Sequence, residues 1–228
     1  YRSPSSDSNR KTYTYSCWYK RALLSYSIGN VFEQKQNGQN YQVAFFRDDD
    51  KFEFHGYTST GGNQYTNRFI TTQKFRDISS WYHIIIAVDT TQATASNRVK
   101  IYVNGSQITN FDTADYPSQN FDTFVNTTQQ LRLGNGQAGS QAFDGYMSEI
   151  WHYDGRQLEP THFGYTESQS GIWRPKKIEN PYSTPNNGTT WSNHLTVSSG
   201  SISNAANAFN NDVLSFNTSS ASQAVITF

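Results

Sequence analysis

The chain has one cysteine (Cys17), one methionine and six prolines in 228 residues, and only 16% of it is charged. A single thiol makes no intrachain disulfide and no cysteine-based zinc centre, so the fold rests on a packed core. Eighteen basic and eighteen acidic residues leave a formal net charge of zero, without the positive field that non-specific nucleic-acid binding needs. No apolar run approaches the ~18 residues of a membrane-spanning helix, so neither nucleic acid nor a membrane is expected as a partner. Initiator Met and an apolar signal region are also missing. The chain starts at Tyr1, and its last stretch, Ala224 to Phe228, reads as a strand that nothing follows. Both ends are expected to be cut from something longer.

What is abundant is uncharged polarity and aromatic area. Ser, Thr, Asn and Gln make up 87 residues, so polarity comes from hydroxyls and amides in a chain well below the usual ~25% charge. Phe, Tyr and Trp make up 35 residues, enough for the core of one large domain, or of one domain and a fragment.

The apolar pattern is one of strands. Tyr13, Tyr15, Cys17 and Tyr19 alternate with Thr14, Ser16 and Trp18, a period of two. Short strands follow at Tyr41 to Phe46 and Lys51 to Phe54, around the triplet Asp48-Asp49-Asp50, and at Phe69 to Thr72. Trp81 to Val88 is apolar on successive residues, as a strand buried on both faces would be. Val99, Ile101 and Val103 alternate up to Asn104-Gly105, and Gln107 to Phe111 resumes the run. Asn-Gly there predicts a two-residue hairpin, because both turn positions need positive φ. Leu131 to Leu133 and Gly145 to Tyr153 are further strands, separated by the glycine-rich loop Gly134 to Gly139. Helical periodicity is nearly absent, the one candidate being a short turn around Glu159 to Phe163. Many strands and frequent Gly/Asn/Ser turns predict an all-β, antiparallel two-sheet sandwich.

Composition shifts after Trp173. Residues 178–190 read as a Pro/Asn-rich linker between a sandwich over 1–177 and residues 191–228. Those last residues, with strand-like ends at Leu195 to Val197 and Ala224 to Phe228, read as the start of a second, truncated β-domain, because roughly 40 residues rarely fold alone without a metal or disulfide.

These segments are familiar as a set. The runs Tyr13 to Lys20, Trp81 to Asp89, Val99 to Gly105 and Phe143 to Ile150 resemble the opening, central and closing strands of laminin-G-like, or concanavalin A-like, jelly-roll sandwiches. A narrower likeness covers residues 1–177. Ser79 to His83, Val88 to Lys100, Tyr116 to Asn120, Asp154 to Gly164 and Gly171 to Lys176 are similar to a lectin module of marine and cyanobacterial tailed-phage virion proteins. Trp191-Ser192, Gly200 and Ala208 to Asn210 resemble a repeat that often follows it, with Phe209-Asn210-Asn211 where that repeat usually has Phe-Asp-Gly.

The resemblance includes glycosidases, so catalysis needs testing. Retaining glucanases use two carboxylates about 5 Å apart, which on one strand means acids at i, i+2 and i+4 or i+5. The glutamates are Glu33, Glu53, Glu149, Glu159, Glu167 and Glu179, and none starts such a pattern. Glu149 and Asp154 are five apart, but Asp154 precedes Gly155 in an expected turn. No Gly-x-Ser-x-Gly elbow occurs, Cys17 lies inside a strand, and no His-x-x-x-His spacing exists among His55, His83, His152, His162 and His194. His83 reads as a core residue with a hydrogen-bonded ring. No catalytic residue is assigned.

Calcium is implied by the resemblance alone, and its acidic candidates are Asp48, Asp50 and Asp144. The competing reading has Asp48-Asp49-Asp50 capping a hairpin turn and facing water. Four Asn-x-Ser/Thr sequons (at Asn104, Asn126, Asn187 and Asn217) arise by chance in so Asn-rich a chain. For sugars, which lie against aromatic faces, the inventory is Tyr57, Tyr65, Tyr116, Tyr146, Trp151, Tyr153 and Trp173. Of these, Tyr146, Trp151, Tyr153 and Tyr116 are the candidate ligand-binding residues, although aromatics more often fill cores.

The resemblance implies a non-catalytic virion module, on a tail fibre, tail tip or capsid appendage, binding host surface glycan or lipopolysaccharide. A purely architectural virion protein is the alternative, and a polysaccharide-degrading glycosidase the third. Other virion proteins and a homotrimer are the implied assembly partners.

Overall fold

A computed structural model describes residues 3–24, 29–37, 39–136 and 141–177, with four strand dipeptides beyond. Two units separate, Tyr1–Lys176 and Lys177–Phe228. The first contains β1 (Thr12–Arg21), β2 (Gly29–Asn37), β3 (Asn40–Phe46), β4 (Lys51–Thr58), β5 (Gln64–Lys74), β6 (Tyr82–Asp89), β7 (Val99–Val103), β8 (Ser106–Gln107), β9 (Phe111–Asp115), β10 (Leu131–Leu133), β11 (Gly145–Asp154), β12 (Gly164–Thr166) and β13 (Trp173–Pro175). They form an antiparallel sandwich with no α-helix among the described residues. One sheet runs β11-β1-β6-β7-β8, the other β10-β2-β3-β4-β5-β9, and β12 pairs with β13. In the second unit Thr196–Val197 pairs with Ile226–Thr227, and Ser201–Ile202 with Phe216–Asn217. The expected linker, 178–190, lies outside the described residues.

The core lies between the two sheets, and the period of two puts it there. Tyr13, Tyr15, Cys17 and Tyr19 of β1 point inward with Ile84, Ile86 and Val88 of β6, opposite Phe32, Ala44, Phe46, Phe54 and Phe69 of the other sheet. Burying one such aromatic or branched side chain contributes about 1.5–3 kcal/mol. Asn104 (φ 47°) and Gly105 (φ 83°) make the expected tight hairpin between β7 and β8.

Several strands fall elsewhere than expected. Gln107 to Phe111 is not one strand: β8 ends the five-stranded sheet, the chain crosses over, and β9 pairs with β5 of the six-stranded sheet. All of β2 was missed, since only Val31 and Phe32 in its run of polar and charged residues point to a strand. The expected turn at Glu159 to Phe163 is a single 3-10 turn, Pro160–His162.

The outer face of the five-stranded sheet is covered by the chain that follows β11. Thr14 Oγ1 donates to the Arg156 carbonyl (2.7 Å) and accepts from the Leu158 N–H (2.9 Å). Tyr102 donates to Glu159 at 2.8 Å. Further along, Phe163 and Trp173 lie beside His83. This strap explains why Thr14, Ser16, Trp18, His83, Ile85 and Ala87, all on the sheet's outward side, are buried. The outer face of the six-stranded sheet carries a different set of side chains.

Candidate functional site

Lys35, Tyr41, Tyr57 and Tyr65 stand directly opposite one another across β2, β3, β4 and β5. Adjacent strands lie ~4.8 Å apart, so the row spans about 14 Å. Tyr41 and Tyr57 stack at 5.4 Å between ring centres, and Tyr57 meets Tyr65 edge-on at 5.6 Å. Lys35 Nζ sits over the Tyr41 ring and the Arg68 guanidinium over the Tyr65 ring, at 5.4 and 4.3 Å. Phe32, Ala44, Phe46, Phe54 and Phe69 of these strands point to the core, so alternation leaves the tyrosines on the outer face, beside Val43, Phe45 and Ile70.

A charged cluster lies next to this row on the same face. Glu53, 1% exposed, accepts from Arg68 Nε (2.8 Å), from His55 Nδ1 (2.9 Å) and from Arg47 Nη1. Burial alone would raise its pKa, but the hydrogen bonds from His55, Arg68 and Arg47 outweigh that and hold the carboxyl at about 2. A carboxyl so anchored stays ionised and donates no proton at neutral pH. The His55 ring touches Tyr41, Phe45 and Tyr65, and its Nε2 is buried without a partner.

Of the four expected ligand-binding residues, the structure brings Trp151 and Tyr153 together and leaves Tyr116 and Tyr146 apart from them. Tyr116 packs edge-on against Phe69 at 4.9 Å, on the margin of the core, so its ring serves packing. Tyr153 meets Phe163 of the strap at 5.7 Å and stacks on Trp151 at 6.3 Å. Tyr146 is 63% exposed but sits five residues up the edge strand from Trp151, beyond a bulge where Glu149 takes φ 48°. Trp173 is a strap residue against His83.

The calcium candidates Asp48, Asp50 and Asp144 do not form one cluster among the described residues. Asp50 does not face water: it is 2% exposed and ion-paired to Arg21 (3.0 Å) and Arg76 (3.1 Å), where guanidinium groups occupy the carboxylate. Its neighbour Asp48 is exposed, and Asp144 is held at Ala22 through its backbone carbonyl. Among the described residues no three His, Cys, Asp or Glu side chains form a metal-holding group. Glu149 and Asp154 make no acid pair either: Glu149 accepts from the Trp151 indole (3.3 Å), and Asp154 from the Asn9 N–H and the Asn126 amide.

Sequence reasoning named Tyr57 and Tyr65 only within a longer aromatic inventory and His55 only among histidines lacking metal spacing, and left out Lys35, Tyr41 and Arg68 as site residues. The signal was present in Glu53, His55 and Tyr57, polar or aromatic at every second position of one strand. Which strands lie beside it is a non-local fact.

A family model described as the concanavalin A-like lectin/glucanases superfamily matches residues 1–162. Among solved structures, domain 4 of AbnA, a GH43 extracellular arabinanase from Geobacillus stearothermophilus in complex with arabinotriose, is 18% identical with a TM-score of 0.45. The match covers 66% of this chain and 64% of that one. The Ruminococcus gnavus IT-sialidase CBM40 is 14% identical over 64% of this chain and 77% of its own (TM-score 0.44). Domains LG4-5 of the mouse laminin alpha1 chain are 13% identical over 70% and 40% (TM-score 0.47). No curated protein matches the chain. With a matching model over most of its length and two antiparallel sheets enclosing one core, the chain belongs to the concanavalin A-like lectin/glucanases superfamily.

Proposed function

We propose that this chain is a non-catalytic glycan-binding module of a phage virion appendage, receiving host surface glycan or lipopolysaccharide on the outer face of its six-stranded sheet. The observation that carries the binding reading is the row Lys35–Tyr41–Tyr57–Tyr65. Aromatic rings offer apolar faces to the C–H side of a sugar, and the polar groups beside them take its hydroxyls. The virion setting, with a trimer as its assembly, rests on the likeness of segments such as Val88 to Lys100 and Asp154 to Gly164 to tailed-phage proteins.

The absence of catalysis is part of the proposal. Glu53 is tied to two arginines and a histidine. Ser16 and His83 look like a nucleophile and its base at 2.8 Å, but both are buried under the strap. Screening the whole chain on a glycan array tests the reading. Sugar-specific binding that weakens about tenfold in Tyr57→Ala or Tyr65→Ala, with melting unchanged, is expected from the loss of stacking area. Binding that survives both substitutions would move the site elsewhere.

An architectural role is the second reading, favoured by β11. It is an edge strand, and Tyr146 and Ile150 on it are 63% and 40% exposed. Particle assembly that fails with Tyr146→Ser and Ile150→Ser, in a chain that binds no glycan, would support that role.

A further inference from the structure

Charges on the tyrosine face are sorted by depth. Its two glutamates lie deep, Glu53 at 1% and Glu33 at 8% side-chain exposure. Arg47, Arg68 and Arg132, their cationic partners, are about a quarter exposed, and Lys35 is half-buried. Beside the tyrosine row the two glutamates thus lie below their cationic partners, while an exposed acid, Asp115 of β9, stands across from Arg68 on the same face.

Arg68 is the best-placed of these cations. Its Nε is used by Glu53 and its plane lies over Tyr65, which fixes the guanidinium at both ends. Its two Nη groups have no partner among the described residues, and Asp115, across from it on β9, is not ion-paired with it. A guanidinium held in this way presents a preorganised pair of donors, and a planar carboxylate is the group that fits such a pair. Beside it, the buried His55 Nε2 has no protein partner, so this face keeps one unspent polar atom next to the Tyr41 and Tyr65 rings.

We propose that this face selects acidic glycans, with a sugar carboxylate on the Nη groups of Arg68, the sugar ring along the tyrosine row, and Lys35 marking the far end. This deepens the glycan-binding reading and rests on it. The selected class is uronic or other carboxylated sugars.

Matched pairs on one array test the idea with the whole chain: polygalacturonate against its methyl ester, and sialyllactose against lactose. Carboxylated members are expected to bind at least about tenfold better than their neutral partners, the usual scale for a hydrogen bond to a charged group. The preference should shrink between 50 and 500 mM salt, as screening of exposed charges requires. Arg68→Lys keeps a cation for Glu53 but loses the fork, and should erase the preference while the melting curve stays in place. Lys35→Met should weaken acidic glycans more than their neutral partners. Equal binding of both members of each pair would overturn the acidic selectivity and leave glycan binding standing. Binding to sulfated but not carboxylated sugars would overturn the carboxylate assignment. No binding to any glycan on the array would overturn both readings together.

Discussion

The Trp173 indole N–H donates to His83 Nδ1 at 2.8 Å, and this bond fixes the imidazole tautomer. With Nδ1 accepting, the ring proton sits on Nε2 and is donated to Ser16 Oγ, also at 2.8 Å. A histidine that gives its proton to a serine cannot take the serine's proton, so the pair is a structural latch. The imidazole is further clamped by Trp18, stacked at 4.8 Å and 9°.

The latch makes stability depend on pH. Burial lowers the His83 pKa to about 4, against ~6.5 in an unfolded chain. Between those values the unfolded state binds the extra proton, so stability falls as pH drops from about 6.5 to about 4 and then levels off. The full effect is on the order of 3 kcal/mol. Urea midpoints measured across that window should fall for the parent chain and stay flatter for His83→Gln.

Trp173→Phe keeps an aromatic ring but deletes the N–H donor together with the pyrrole half of the indole, leaving a buried imidazole nitrogen unpaired. A loss of about 1–3 kcal/mol is expected, with faster proteolysis of the strap between Gly155 and Pro175. An unchanged cleavage pattern would mean that packing alone holds the strap.

Gly105 links the hairpin to the strap. It sits at φ 83°, and a Cβ there would lie 2.5 Å from the Trp173 ring. Gly105→Ala should therefore lower the melting temperature through turn strain and by displacing Trp173, each costing about 1 kcal/mol or more. Tryptophan fluorescence would report the displacement.

Asp50 bridges Arg21 and Arg76 from a buried site. Asp50→Asn keeps the shape and the positive φ of 66° that asparagine tolerates, but strands a buried guanidinium. About 3–5 kcal/mol of destabilisation is expected from chemical denaturation. Millimolar calcium should not raise the melting temperature of the parent chain, because Asp50 is already committed to arginine.

Much of the sandwich was readable along the chain. The alternation from Tyr13 to Tyr19, the apolar run at Ile84 to Ile86 and the Asn104-Gly105 turn each carry their own signal, since strand period and turn geometry are local properties. β2 was not readable: its residues Glu33, Gln34, Lys35 and Gln36 match no apolar pattern, and the strand exists because its neighbours pair with it. The same holds for the site. Tyr57 and Tyr65 were visible as aromatics, but only pairing put Lys35 and Tyr41 in line with them and brought Arg47 and Arg68 onto Glu53.

By itself, the sequence determined the class of architecture, because side chains alternating in polarity at a period of two, broken by residues tolerant of positive φ, leave a chain no other way to bury its aromatics. Tertiary structure decided what each polar group does. It turned Asp50 inward to arginine, pressed Tyr116 against Phe69, folded Trp173 back onto His83, and lined up three tyrosines on one open face. The physical reason is that strand order and register are set by contacts between residues far apart in the chain, and those contacts determine which face is covered and which is left to meet a ligand.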